Sequence, residues 1–132
     1  MKFENIIINL KNDLRDSENE KSYNFSTKYF FDNGLAMTVA RKSRNGKKPK
    51  NERDEFTSFG ASKGLYEVAL YKRDEEDPLG IDFAWDLQWS EATLEALTSK
   101  QEALLRDCIV GYLKPAEVVE MAAFIADLEP QD

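Results

Sequence analysis

The sequence predicts an α+β fold: an N-terminal helix, a three- to four-stranded antiparallel meander sheet, and C-terminal helices packed on one face of that sheet. Apolar residues recur at helical spacing at the start of the chain, alternate with polar residues through its middle, and return to helical spacing after Ser90. No repeat or linker divides the 132 residues, of which 42% are hydrophobic. Because one core can be buried at this length, residues 1–132 are expected to form a single domain.

The first helix is predicted over residues 3–15, which carry charged residues on one side and an apolar stripe on the other. The stripe consists of Phe3, Ile6, Ile7, Leu10 and Leu14. The polar run 16–20 has no periodic apolar residue, so the helix is expected to end near Arg15.

A β-hairpin follows, because large residues alternate over 23–31 and again over 35–41. A two-residue turn would place the large residues of the two strands on opposite faces. A three-residue loop instead pairs Phe31 with Leu35 and Tyr29 with Met37, which brings them to one core face. We therefore predict the three-residue loop, with Gly34 in the left-handed conformation of a bulge.

Two further strands are predicted at 66–71 and 81–85, separated by a turn over 74–80. Between the hairpin and the third strand, residues 42–64 are mostly charged or small. A loop of about twenty residues is unusual in a compact domain and is often functional or disordered.

The last third of the chain is predicted to be helical, with Ser90 as the N-cap of a helix that carries Leu94 and Leu97. A capping box of Thr98 with Gln101, or of Ser99 with Glu102, would restart the helix. These capping patterns favour two consecutive helical segments.

The restarted helix is expected to run on through Cys108 and Ile109 until Gly111 breaks it. Pro115 fits the first turn of a last helix, which would stop at Pro130. The predicted buried residues of that helix are Val118, Met121, Ala122, Ile125 and Leu128.

Composition argues against catalysis and metal chemistry. The chain has no histidine, and its single cysteine, Cys108, lies on an apolar stripe where a buried structural thiol is expected. One cysteine without histidine excludes the common zinc sites, and Asp74-Glu75-Glu76-Asp77 lacks the spacing of a calcium loop. We therefore expect no enzyme activity, no metal and no cofactor. No apolar run reaches the roughly 20 residues of a membrane span, and the lone cysteine fits a reducing cytosol.

Charge is divided unevenly along the chain. Residues 1–66 hold 13 bases and 9 acids, whereas residues 67–132 hold 5 bases and 16 acids. Seven bases lie within residues 41–53: Arg41, Lys42, Arg44, Lys47, Lys48, Lys50 and Arg53. This basic segment either contacts nucleic-acid phosphates by counterion release or is a solvated loop at the edge of the sheet.

The acidic half has two readings of its own. Its carboxylates either present negative charge that resembles a phosphate backbone to a basic partner, or only keep the helix exteriors soluble. Trp89, beside Ser90 at a helix start, is the tryptophan expected to be exposed as an anchor, whereas Trp85 is expected in the core. The candidate partner-binding residues are Asp74, Glu75, Glu76, Asp77, Trp89, Glu91, Glu95, Glu102, Glu117 and Glu120.

Two segments, 64–70 (GLYEVAL) and 109–118 (IVGYLKPAEV), resemble a group of small bacteriophage and prophage proteins over about half the chain. Those proteins have a Gly-Leu-Tyr-Glu strand and a Val-Ile-Gly-Tyr-Leu-Thr-Pro-Glu-Glu-Val helix start. This chain departs from the pattern at Lys114, at Cys108 and in an inserted segment over 86–106.

The resemblance implies a phage or mobile-element origin and location in the host bacterial cytoplasm. By analogy with small acidic phage inhibitors such as anti-CRISPR proteins and DNA mimics, the expected partner is a host protein or a defence ribonucleoprotein complex. A nucleic-acid-binding accessory protein that acts through the basic segment is the alternative.

Overall fold

The computed structural model describes residues 3–19, 25–41, 66–74, 76, 80–84 and 87–130. It confirms the α+β class. The helices are α1 (Phe3–Asn19), α2 (Glu91–Glu95), α3 (Ser99–Asp107) and α4 (Pro115–Ala126). The strands are β1 (Phe25–Phe30), β2 (Leu35–Arg41), β3 (Tyr66–Arg73), β4 (Ile81–Phe83) and β5 (Ile109–Leu113). None of the described helices combines the length and the hydropathy that crossing a bilayer requires.

The sheet is antiparallel and is built around β3. Strand β2 pairs with one edge of β3, and β1 pairs with the far side of β2. The other edge of β3 is shared: β4 pairs with its C-terminal part at Tyr71, whereas β5 pairs with its N-terminal part between Tyr66 and Ala69. Both edges of the central strand are therefore covered.

The β1–β2 hairpin has the predicted three-residue connection. Tyr29 lies opposite Met37, and the amide of Phe31 donates to the carbonyl of Leu35 at 2.9 Å. Gly34 has φ +84°, the left-handed conformation expected of it. The register confirms that the alternation of large residues, which must all reach one face, decides the turn.

Helix α1 runs four residues past the predicted end and stops at Asn19. The polar segment stays helical because it is held from outside the helix: Arg41 donates to the carbonyl of Ser17 at 2.7 Å. A cation at a helix C-terminus satisfies an orphan carbonyl and interacts favourably with the helix dipole. The predicted end at Arg15 was wrong because this contact is made across 24 residues of sequence.

The segment after α3 is a strand, not the continued helix that the sequence predicts. Cys108 ends α3 in the left-handed conformation with φ 60°, and its carbonyl accepts from the amide of Leu70 at 2.8 Å. The chain then pairs with β3 as β5. A bulge sets Gly111 and Tyr112 against one residue of β3, and Tyr112 also has φ 60°, which is rare for a bulky residue.

Helix α4 starts at Pro115, as predicted, but ends at Ala126 instead of at Pro130. The side-chain amide of Asn33, in the β1–β2 connection, donates to the carbonyls of Ile125 at 2.8 Å and Leu128 at 2.9 Å. The hairpin loop therefore satisfies the last carbonyls of the helix and fixes α4 to the sheet.

The core lies between one face of the sheet and the helices. It includes the large residues that share the inner face of the hairpin, such as Met37 and Val39, with Leu10 of α1, Leu104 of α3 and Ile125 of α4, all fully buried. All five predicted core residues of the last helix are buried, including Leu128 beyond its end. Burial on this face orients the outer surfaces of the helices toward solvent.

Candidate interaction surface

Helix α2 is defined by its cap. The side-chain oxygen of Ser90 accepts from the amide of Thr93 at 3.2 Å, and the carbonyl of Ser90 accepts from the amide of Leu94 at 3.1 Å. Ser90 is extended with φ −67° and ψ 155°, as an N-cap residue should be. The predicted cap is confirmed, although the helix it starts has only five residues.

Helix α2 buries none of its residues. Glu91 and Glu95 are exposed, and Leu94, which the sequence places on an apolar stripe, has 52% of its surface exposed. Residues three and four apart on a helix are neighbours, so Glu91 lies beside both Leu94 and Glu95. We call Glu91, Leu94 and Glu95 the α2 surface.

Helix α3 begins with the predicted capping box of Thr98 and Gln101. The amide of Gln101 donates to the Thr98 hydroxyl at 3.2 Å, and the amide of Thr98 donates to the Gln101 side chain at 3.0 Å. Glu102 is exposed one turn before Arg106, whose guanidinium lies 3.9 Å from its carboxylate. This exposed pair contributes little stability, so Glu102 remains accessible to a partner.

Glu117 is neutralised within the chain. Its carboxylate accepts from Lys100 of α3 and from the backbone amide of Lys114. The hydrogen bond from Lys100, followed by that from Lys114, holds the pKa of Glu117 below its usual value. Glu117 therefore links α3 to α4, whereas Glu120, one turn further on, is exposed.

Negative charge is concentrated in the C-terminal helical part. Residues 87–130 contain eight acids and three bases. Within the part of the chain that the structure describes, no base forms an ion pair with Glu91, Glu95 or Glu120. The bases Lys100 and Arg106 are already engaged with acids, so the outer side of α2 to α4 carries a surplus of negative charge.

The remaining acidic candidates belong to the β3–β4 turn. Asp74 is half-buried, and its carboxylate accepts from the backbone amide of the exposed Glu76 at 2.9 Å, which stabilises the turn. Glu75 and Asp77 lie outside the described residues, as does Trp85. Trp89 is half-buried and packs against the core, so it is not the exposed anchor that the sequence predicts.

Arg41 is also not a surface residue, contrary to its place among the candidate nucleic-acid contacts. Only 2% of its surface is exposed. Its guanidinium donates to Ser17 and, at 3.2 Å, to Glu18, and it lies 5.1 Å from the centre of the Tyr66 ring. The other candidate bases, Lys42, Arg44, Lys47, Lys48, Lys50 and Arg53, lie outside the described residues.

The Tyr66 hydroxyl completes this network. It lies 2.9 Å from the Ser17 hydroxyl and donates to Glu18 at 3.1 Å. Tyr66 and Arg41 begin β3 and end β2, so they lie at the two ends of the 42–65 segment. We call Ser17, Glu18, Arg41 and Tyr66 the α1 anchor, since the four residues fix the C-terminus of α1 to the sheet.

Cys108 is fully buried, as the sequence predicts, but at a helix C-cap instead of on a helical stripe. Burial raises the pKa of its thiol, although a backbone hydrogen bond from Ala84 partly opposes that rise. A buried thiol with a raised pKa is a poor nucleophile. Among the residues that the structure describes, no three acids or cysteines are grouped as metal ligands would be.

No known protein family, curated protein or solved structure matches this chain.

The sequence predicts Leu94 on an apolar stripe and not at the surface. A signal was present, because a helix between the caps at Ser90 and Thr98 is too short to bury a stripe of its own. The length of the interval between two N-caps could have predicted an exposed helix.

Proposed function

We propose that this chain is a non-enzymatic protein of phage or mobile-element origin that binds and inhibits a host protein, a nucleic-acid-processing or defence complex, through the acidic outer side of its C-terminal helices. One observation carries the proposal: a capped helix that buries nothing presents Leu94 to solvent together with Glu91 and Glu95. An apolar centre surrounded by a polar rim is a common arrangement in protein interfaces.

The charge of this surface favours a basic partner. Glu91 and Glu95 are one helical turn apart, with about 6 Å between their Cβ atoms. They belong to a region with a surplus of acids, so they favour a basic surface such as a nucleic-acid-binding groove. Long-range attraction would speed the encounter of the two proteins, and burial of the leucine would slow their separation. Such a protein competes with nucleic acid for the groove.

A binding role is also favoured by the state of the one cysteine. The Cys108 thiol is fully buried and burial raises its pKa, which is the opposite of an activated nucleophile. The backbone and side-chain hydrogen bonds to Ser90 cap α2 and hold the α2 surface in one conformation.

The test is a capture experiment from bacterial lysate with the wild type, followed by binding kinetics on the captured partner. Replacing Glu91 and Glu95 by lysine should lower the association rate at least tenfold and reverse its dependence on salt. The matched control replaces Glu4 and Asp16 of α1, which are also exposed, by lysine and changes the net charge equally. Equal association rates for the two variants would contradict the proposal.

Direct measurement of DNA binding tests the alternative. Affinity tighter than micromolar at about 150 mM salt would overturn the proposal, because it exceeds the usual non-specific range of about 10⁻⁴–10⁻⁶ M. Alanine at Arg44, Lys47, Lys48 and Lys50 would then flatten the dependence of log affinity on log salt by roughly 3–4. Under the proposal, those four substitutions leave partner binding unchanged.

A further inference from the structure

A groove of about 250 Å³ lies between α1 and α4. Its lining combines an apolar floor with two bases on the α1 rim. The groove is lined by Lys11, Leu14, Arg15, Glu18, Pro115, Ala116 and Val119. Leu14 is buried at the bottom of the groove, whereas both bases are exposed.

The rim of this groove is positive. Arg15 lies 3.6 Å from Asp16, but both side chains are two-thirds exposed, so that pair is weak and easily exchanged. Glu18, the acid on the same rim, is engaged with Arg41 in the α1 anchor. Lys11 has no described ion-pair partner. An incoming acid would therefore meet two available cations.

The groove and the α2 surface have the same spacing with opposite charge. On α1 the order is Lys11, Leu14, Arg15, and on α2 it is Glu91, Leu94, Glu95, each at positions i, i+3 and i+4. The like charges of each set are one turn apart, so an antiparallel crossing places each carboxylate beside one base. The same crossing directs the exposed leucine onto the apolar floor.

We propose that the α2 surface of one copy of this chain docks in the α1–α4 groove of a second copy. Glu91 would pair with Arg15, Glu95 with Lys11, and Leu94 would fill the floor. Since α2 buries no residue in its own chain, its leucine is available to another molecule. Both halves of the contact are present on every copy, so each copy can take part in two such contacts.

The contact is small. A five-residue helix cannot bury the roughly 1,200 Å² of a standard interface, so we expect weak association with a dissociation constant of about 0.1–1 mM. Docking also covers the surface assigned to the host partner. Self-association therefore goes beyond the proposed function and competes with it.

The experiment is sedimentation equilibrium from about 0.02 to 2 mM protein, at low and at high salt, across the expected dissociation constant. The wild type should associate, and salt should weaken the association. Glu91→Lys with Glu95→Lys should remain monomeric, and so should Lys11→Glu with Arg15→Glu. Every altered side chain is exposed, so the fold should be retained, which circular dichroism checks.

Mixing the two charge-reversed variants supplies the decisive result. Each variant repels itself, but in the mixture every α2 surface meets a groove of opposite charge, so association should return to at least the wild-type level. A wild type that stays monomeric up to 2 mM, variants that associate like the wild type, or a mixture that stays monomeric would each overturn the inference. The Lys11/Arg15 variant leaves α2 intact, so loss of its self-association separates this contact from host-partner binding.

Discussion

Replacing Arg41 tests whether its role is internal. In Arg41→Met the aliphatic volume is largely kept, but the guanidinium contacts with Ser17, Glu18 and the Tyr66 ring are lost. We expect a large loss of stability and no effect on binding to DNA, because only 2% of the side chain is exposed.

The magnitude follows from what each contact is worth. The charge-assisted hydrogen bond to the buried Ser17 carbonyl contributes about 1.5–3 kcal/mol, and its loss leaves that carbonyl without this donor. The pair with Glu18 is discounted to at most about 1 kcal/mol, since 42% of the Glu18 side chain is exposed. The cation–π contact adds about 0.5–2 kcal/mol, and relief from burying a cation offsets part of the total.

The expected net destabilisation is therefore about 2–4 kcal/mol. At roughly 4 °C per kcal/mol for a chain of this size, the melting temperature should fall by about 8–16 °C. Urea unfolding followed by circular dichroism measures the free energy. A double-mutant cycle with Glu18→Gln should show a coupling of about 0.5–1 kcal/mol.

Arg106→Met is the matched control, because Arg106 is exposed and its ion pairs are with exposed acids. It should change stability by less than about 0.5 kcal/mol. Arg41→Met with stability equal to the control, together with weaker binding to DNA, would refute the internal role of Arg41.

Substitutions at three other positions test single local features. Gly34→Ala should lower the free energy of unfolding in urea by about 1 kcal/mol, because a side chain is strained at φ +84°. Gly34→Asn should lower it by less, since a Cβ at this position meets nothing within 4 Å and asparagine tolerates the left-handed conformation. Equal stability of the wild type and both variants would contradict the left-handed turn. The lowered pKa of Glu117 means that its stabilising contribution is present above the unfolded pKa of about 4.3 and is lost as pH falls through the folded pKa, so Glu117→Gln should remove part of the acid dependence of the melting temperature. The raised pKa of Cys108 has the opposite effect on stability. The contribution of the thiol to stability is present below the unfolded pKa of about 8.5 and is lost as pH rises through the folded pKa. Cys108→Ala should therefore weaken the dependence of the melting temperature on pH in the alkaline range. The native thiol should also react with a disulfide reagent only at the rate of unfolding, and rapid labelling of the folded protein would contradict its burial.

Local signals were sufficient for the hairpin and for the helix starts. The register of β1 and β2 follows from the alternation of large residues around Gly34, since only one loop length places them on one face. Each helix start is decided within one helical turn, by the caps at Ser90 and Thr98 and by Pro115. The residues that determine where these helices begin are therefore adjacent in the sequence.

Helix ends and the last strand required the tertiary structure. Asn33 satisfies carbonyls at the end of α4 from 92 residues away, and Cys108 ends α3 where its carbonyl can accept from the amide of Leu70 on β3. The residues Ile109 and Val110 suit a strand as well as an apolar helix. The open N-terminal edge of β3 decides between the two, because its donors and acceptors need a partner.

The candidate interaction surface also combines features that the sequence predicts with features that depend on tertiary contacts. Sequence by itself determined that the chain has an acidic C-terminal half and a cluster of bases after the second strand. Only the tertiary structure decided that Arg41 is buried, that Glu117 is neutralised by Lys100, and that Leu94 is exposed. Charge is a property of each residue, whereas burial and pairing depend on which distant elements meet it, and those contacts form only when the helices pack on the sheet.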